Sequence, residues 1–159
     1  MKRIKVLFLC ASNGVQSPMA EEILNAVDSS HFEVVSAGIE RGEIHSLTIE
    51  VMREMNIDLE GKRTKAAQDV SRLGFDFVIT LCDRSRTECP RIPGAELAHW
   101  RFDDPLAATD HNNQRRLFRA LRDQITQRIR LFALVQVRFT EFVPSAHHDS
   151  RSQPDLVHF

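Results

Sequence analysis

Ile4-Lys5-Val6-Leu7-Phe8-Leu9 is a nearly unbroken apolar run that ends at Cys10 and gives way to a polar loop, Ala11 to Ser17. A run this short and this apolar predicts a strand covered on both faces. Apolar residues then change to a helical spacing. Ala20, Ile23, Leu24 and Val27 form the expected buried stripe of a helix from Pro18 to Asp28, with Ser17 as N-cap and Pro18 in the first position. Phe32 to Ala37 reads as a second strand closed by Gly38. A second helix is expected near Ser46, with Leu47, Val51, Met52 and Met55 on its apolar face. A short helical segment from Ala66 to Leu73 stops at Gly74.

Phe75 to Leu81 is the third strand, interrupted only by Asp76 and Thr80, and it delivers Cys82 at its end. Glu96 to Trp100 suits a shorter strand. The last helix, Asn112 to Val137, spaces Leu117, Leu121, Ile125, Ile129 and Phe132 at helical intervals. From Val143 onward the periodicity is lost, so residues 1–140 are expected to form the domain and 141–159 a mobile extension.

Strand and helix alternate. That order predicts an α/β fold: a doubly wound, parallel, four-stranded sheet with helices on both faces. Such sheets bind ligands outside the carboxyl ends of their strands. Cys10, Cys82 and Asp103–Asp104 each fall just after a predicted strand, so all can reach one crevice.

Composition narrows the class of partner. A chain of 159 residues is large enough for one domain with a real core. A formal net charge of -1 gives no global field for nucleic acid or an acidic membrane. The arginines between Arg115 and Arg138 read as the solvated face of the last helix. No apolar run approaches the ~20 residues of a membrane span, and the one at the N-terminus reads as a strand rather than a leader. Three cysteines cannot be fully paired, which favours a reducing, cytoplasmic setting with working thiols. His147 and His148 read as solvated tail residues, and neither a metal nor a cofactor is expected.

The chemistry concentrates in Cys10 to Ser17, C-A-S-N-G-V-Q-S. A loop between a strand and a helix aims backbone N–H groups and the helix N-terminus at one point, which is an anion cradle. The same setting favours a thiolate and makes Cys10 a nucleophile. Asn13 and Gly14 can take positive backbone angles that turn N–H groups inward. Ser17 can donate toward the Cys10 sulfur.

The stretch V-L-F-L-C-A-S-N-G-V-Q-S-P-M-A-E resembles the signature loop of the low-molecular-weight phosphotyrosine phosphatases, and V-V-S-A-G-I (Val34 to Ile39) is similar to their second strand. Within that superfamily, T-L-C-D-R-S-R-T-E-C-P (Thr80 to Pro90) and H-W-R-F-D-D-P (His99 to Pro105) resemble the thioredoxin-coupled arsenate reductases. The resemblance implies an oxyanion cradle of Ala11, Ser12, Asn13, Gly14, Val15 and Gln16. It implies a relay in which Cys10 attacks arsenate with Asp104 as proton donor, Cys82 releases arsenite, and Cys89 forms a Cys82–Cys89 disulfide for thioredoxin. Arg84, Arg86 and Arg91 would favour the thiolates of the relay. Some of these reductases hold potassium with residues matching Asn13, Glu21 and Ser36. Here the remaining acidic ligand is Lys65, whose ammonium is expected to take the ion's place, pairing with Glu21 and steadying Asn13.

One residue departs from the pattern: Gln16 stands where the family has an arginine. Hydrogen bonds to charged groups contribute about 1.5–3 kcal/mol each, so the loss of a bidentate guanidinium matters. Another arginine (Arg84, Arg86 or Arg101) would have to replace it, or the ligand would have to differ, or the oxyanion chemistry would be weak. A hydrolase of small phosphoesters and a redox-sensing, oxyanion-binding protein therefore stand beside the reductase. The chain has no tyrosine, and Leu106, Ala107 and Ala108 follow Pro105 where phosphotyrosine phosphatases carry an aromatic pair. A small inorganic oxyanion suits the sequence better than an aromatic phosphoester.

Overall fold

Successive side chains of a strand point to opposite faces of its sheet, and the first strand uses both. In the computed structural model, which describes residues 2–107 and 109–142, β1 (Ile4–Cys10) turns Val6 and Phe8 into one buried cluster. Leu7 and Leu9 enter another on the opposite side. β1 is flanked by β2 (Phe32–Gly38) and β3 (Phe77–Thr80), and β4 (Glu96–His99) lies outside β3. All three pairings are parallel, in the order β2-β1-β3-β4. This is the doubly wound, four-stranded α/β sheet expected from the sequence.

The first cluster is covered by α1 (Gln16–Asp28), α2 (Ser46–Arg53) and α5 (His111–Phe142). It includes Met19, Ile23 and Leu24 of α1 and Phe118, Leu121, Ile125 and Ile129 of α5. The second is covered by α3 (Ala67–Val70), through Ala67 and Val70, with Phe75 and Ile92 beside it. No described helix is long and apolar enough to cross a membrane.

Several elements differ from expectation. α1 starts at Gln16, with Val15 in the N-cap position and no side-chain cap. Ser17 is thus inside the helix, and its hydroxyl is free for other work. Val27, assigned to the buried stripe, is 39% exposed because it lies in the last turn, beside Ala133 and Leu134 near the end of α5. β3 is shorter than the apolar run. Asp76, just before it, still bonds both neighbours through its backbone, donating to the Lys5 carbonyl and accepting from the Glu96 N–H, each at 2.9 Å, and its carboxylate also accepts the Lys5 N–H at 2.8 Å. A helix that periodicity did not suggest, α4 (Asp83–Thr87), follows Cys82. α5 continues to Phe142, so the expected boundary at residue 140 falls in its last turn. The rest of the expected extension, including His147 and His148, lies outside the described residues.

Candidate active site

The carboxyl ends of the strands bring together the loop after β1, the start of α4 and the segment after β4. They line a cavity of about 300 Å³ with Ala11, Gln16, Cys82, Asp83, Arg84, Arg101, Phe102, Asp103 and Asp104. Cys10 is buried at the root of this loop, next to Ala11.

The loop is shaped by the segment that follows β2. Backbone N–H groups of Ile39, Glu40, Gly42 and His45 donate to the carbonyls of Cys10, Ala11, Ser12 and Gly14 at 2.9–3.1 Å. Thr48 adds its hydroxyl to the Gly14 carbonyl at 2.9 Å. In a trans peptide the carbonyl and the next N–H point opposite ways. The N–H groups of Ala11, Ser12, Asn13 and Val15 are therefore turned away from that wall, as an anion cradle requires. Asn13 takes the left-handed conformation, with φ 60°. Gly14 does not; its lack of a side chain answers instead to the Glu43 carbonyl, which would lie 2.5 Å from a Cβ.

A buried hydrogen-bond chain runs behind the loop. The Cys10 sulfur lies 2.8 Å from the Ser17 hydroxyl. Asn13 Nδ2 donates to Ser17 at 2.9 Å and to Ser36 at 3.0 Å, and Ser36 donates to Glu21 at 2.5 Å. The Ser17 hydroxyl has two acceptors for its one proton, the Ala37 carbonyl at 3.2 Å and, once ionised, the nearer Cys10 sulfur. The cation on Glu21 is Lys62, 2.6 Å away, which also pairs with Glu22. This corrects the expectation for Lys65. That residue serves through its backbone, its N–H donating to Asn13 Oδ1 at 3.0 Å and its carbonyl accepting from Gly38 at 2.8 Å. The two lysines are three positions apart, and only Lys62 sits where its side chain reaches the carboxylate. Sequence reasoning missed Lys62 because matching by position had put the cation at 65.

Cys82 is the N-cap of α4. Its sulfur accepts from the Ser85 N–H at 3.4 Å, and the Ser85 hydroxyl accepts from the Cys82 N–H at 3.2 Å. Cys89, just beyond α4, is not among the cavity residues and packs against the cluster on the α3 side. Burial pushes its thiol above the ordinary value, so the expected thiolate-favouring effect of neighbouring arginines does not prevail at Cys89.

The arginines near the cavity separate clearly. Arg84 is tied to Glu40 at 2.9 Å and Glu88 at 2.8 Å, and its hydrogen bond holds the Glu40 carboxyl below its ordinary range. Arg86 does not line the cavity. Arg101 does, 71% exposed, with a loose 3.9 Å contact to Asp83. Asp104 lies at the rim and accepts the Leu106 N–H at 2.9 Å.

An α/β sheet with a cysteine loop at the carboxyl end of its first strand defines a class of oxyanion-handling proteins. The sequence profile described as low molecular weight phosphotyrosine protein phosphatase matches residues 5–141, and the chain belongs to that family. It is 33% identical over 135 residues to an arsenate reductase of Halalkalibacterium halodurans, covering 84% of this chain and 97% of the relative. A solved arsenate reductase in its reduced state superposes with a TM-score of 0.64 at 27% identity, covering 83% of this chain and 98% of the other. The thioredoxin-dependent arsenate reductase of Corynebacterium glutamicum gives 0.65 at 29% identity, covering 86% and 63% respectively.

Proposed function

We propose that this protein is an arsenate reductase working by a thiol relay. The observation that carries the reading is a second cysteine, Cys82, on the wall of the cavity formed by the Cys10 loop. A phosphatase of this fold needs only the first. The arsenate reductases among its relatives support the same substrate.

Cys10 thiolate attacks arsenic(V), and Asp104 gives its proton to the departing water. The N–H groups of residues 11–16 bind the remaining oxygens, and Ser17 steadies the sulfur. Cys82 thiolate then attacks the Cys10 sulfur. The S–S bond forms, the S–As bond breaks, and its electron pair stays on arsenic, which leaves as arsenite. Cys89 attacks Cys82, freeing Cys10 and leaving a Cys82–Cys89 disulfide. A dithiol partner of the thioredoxin type, in a reducing cytoplasm, restores both thiols. Cys89 must leave its packed position to do this, and the five-residue α4 is the element that yields. Asn13, Ser36 and Glu21 support the loop, with the Lys62 ammonium as their cation in place of potassium.

A single-turnover assay with arsenate, followed by thioredoxin, tests the proposal. The wild-type protein is expected to release one arsenite per chain before thioredoxin and to cycle after it. Cys89→Ser is expected to release one arsenite and stop. No arsenite from the wild type overturns the reading. Family membership favours a second reading, hydrolysis of small phosphoesters. It predicts that a Cys82→Ser/Cys89→Ser double variant keeps full activity on nitrophenyl phosphate.

A further inference from the structure

Gln16 is more than nine-tenths buried, yet its carboxamide has no hydrogen-bond partner among the described residues. No enclosed side-chain nitrogen or oxygen there lacks a partner, so the amide atoms must open into the cavity that Gln16 lines. A buried polar group left this way is poised for a ligand. Its chemistry is specific. A guanidinium only donates, whereas a carboxamide offers a donor on nitrogen and an acceptor on oxygen. The natural complement is an oxyanion that carries both a bare oxygen and a hydroxyl.

The charges around the cavity point the same way. The Arg84 charge is answered by Glu40 and Glu88, and the nearest charge to Arg101 is Asp83. Asp103 and Asp104 line the cavity with no basic partner among the described residues. His99 is also near Asp83, at 3.8 Å. Among the side chains lining the cavity, three carboxylates (Asp83, Asp103 and Asp104) stand against two guanidinium groups (Arg84 and Arg101), so they supply no surplus positive charge with which to hold a dianion.

We infer that the Cys10 pocket selects a protonated, singly charged tetrahedral oxyanion, with the Gln16 amide nitrogen donating to a bare oxygen and its carbonyl accepting from a hydroxyl. This rests on the oxyanion-pocket reading above and specifies which form of the oxyanion is taken.

Phosphate and sulfate have the same shape. Phosphate keeps hydroxyls and gains charge as it ionises; sulfate has no hydroxyl and stays a dianion. Their binding to the reduced wild-type protein is measured by calorimetry on both sides of phosphate's second ionisation. Phosphate is expected to weaken about tenfold per pH unit above that ionisation. Sulfate is expected to bind at least about a hundredfold more weakly than phosphate on the acid side. The sulfate series also reads any titration of Cys10, Cys82, Asp83, Asp103, Asp104 or His99, which would shift the binding of both anions in the same direction. Gln16→Arg is expected to admit sulfate and to flatten the phosphate profile. Gln16→Met, similar in size, should lose the preference for phosphate while keeping the melting temperature.

Sulfate binding the wild type as well as phosphate, phosphate tightening as pH rises, or neither anion binding would each overturn the inference. The two readings fail separately. If arsenite is made but sulfate matches phosphate, the pocket selectivity is wrong and the reductase stands. If phosphate shows the expected selectivity but no arsenite forms, the reductase is wrong and the selectivity stands.

Discussion

Cys89 is held partly inside the core, and that burial raises the cost of its charged form. The thiolate is the attacking species in disulfide exchange, so only a small fraction of Cys89 is reactive near neutral pH. The resolving step should therefore accelerate with pH. With a preformed Cys10–Cys82 disulfide, rapid alkylation at timed points is expected to show Cys82–Cys89 formation rising about tenfold per unit between about pH 7 and pH 8, below the ordinary thiol ionisation. A flat profile would mean that Cys89 ionisation does not control this step. At the same scale, the place of Cys10 at the end of a buried strand and the departure at Gln16 were legible from the sequence, because the apolar run from Ile4 to Leu9 stops there. The burial of Cys89 was not legible, because it depends on a side of the sheet built from Leu7, Ala67 and Val70, which are far from residue 89 in sequence.

Among the elements, the existence of β1, α1, β2 and α5 followed from the apolar pattern, because each carries a run or a helical repeat of apolar residues. α4 did not, because its five residues are polar and are held by the Cys82–Ser85 capping pair rather than by an apolar face. The arginines of α5 were expected to be merely solvated, and the structure gives several of them partners. Arg119 donates to Glu54 at 2.7 Å, and Arg122 donates both to Glu54 and to the Val51 carbonyl, at 2.7 and 2.8 Å. The clamp fastens the C-terminal end of α2 to α5. The hydrogen bonds from Arg119 and then Arg122 lower the Glu54 carboxyl from 4.5 to about 2. A carboxylate with a lowered folded-state pKa contributes its full stabilisation above its unfolded value and loses it as pH falls toward the folded one. The wild type is therefore expected to lose stability between about pH 4.5 and pH 2, and Glu54→Gln to lose less over that interval. Denaturant midpoints across the range, with an NMR titration of Glu54, check both. A Glu54 carboxyl titrating near its ordinary value would remove the basis for the clamp.

Across the whole molecule, one buried chain of contacts joins parts of the fold that are far apart in sequence. Lys62 reaches Glu21 on α1, Glu21 accepts a hydrogen bond from the Ser36 hydroxyl on β2, and Asn13 links Ser36 to Ser17 and so to Cys10. The participants were legible in part: Asn13, Ser17, Glu21 and Ser36 were identified, but the lysine was placed three residues away. Sequence position cannot tell which of two nearby lysines points inward, since that is set by how the chain turns between Leu59 and Ala67. The two roles separate by substitution. The Glu21 side chain is only 10% exposed, so Lys62→Met leaves a carboxylate with little water and no cation. Removing one partner of such a pair costs about 3 kcal/mol. Lys65 contributes its backbone N–H and carbonyl, which substitution does not alter, so Lys65→Met should stay within about 0.5 kcal/mol of the wild type. Urea unfolding of both variants checks this ordering. A second measurement asks whether the chain reaches the sulfur: the rate of Cys10 alkylation should change in Lys62→Met under conditions where the variant remains folded, and should not change in Lys65→Met. If both lysines prove equally dispensable, the buried pair does not hold the loop. If Lys65→Met is the damaging one, the cation belongs to the residue first expected from the sequence.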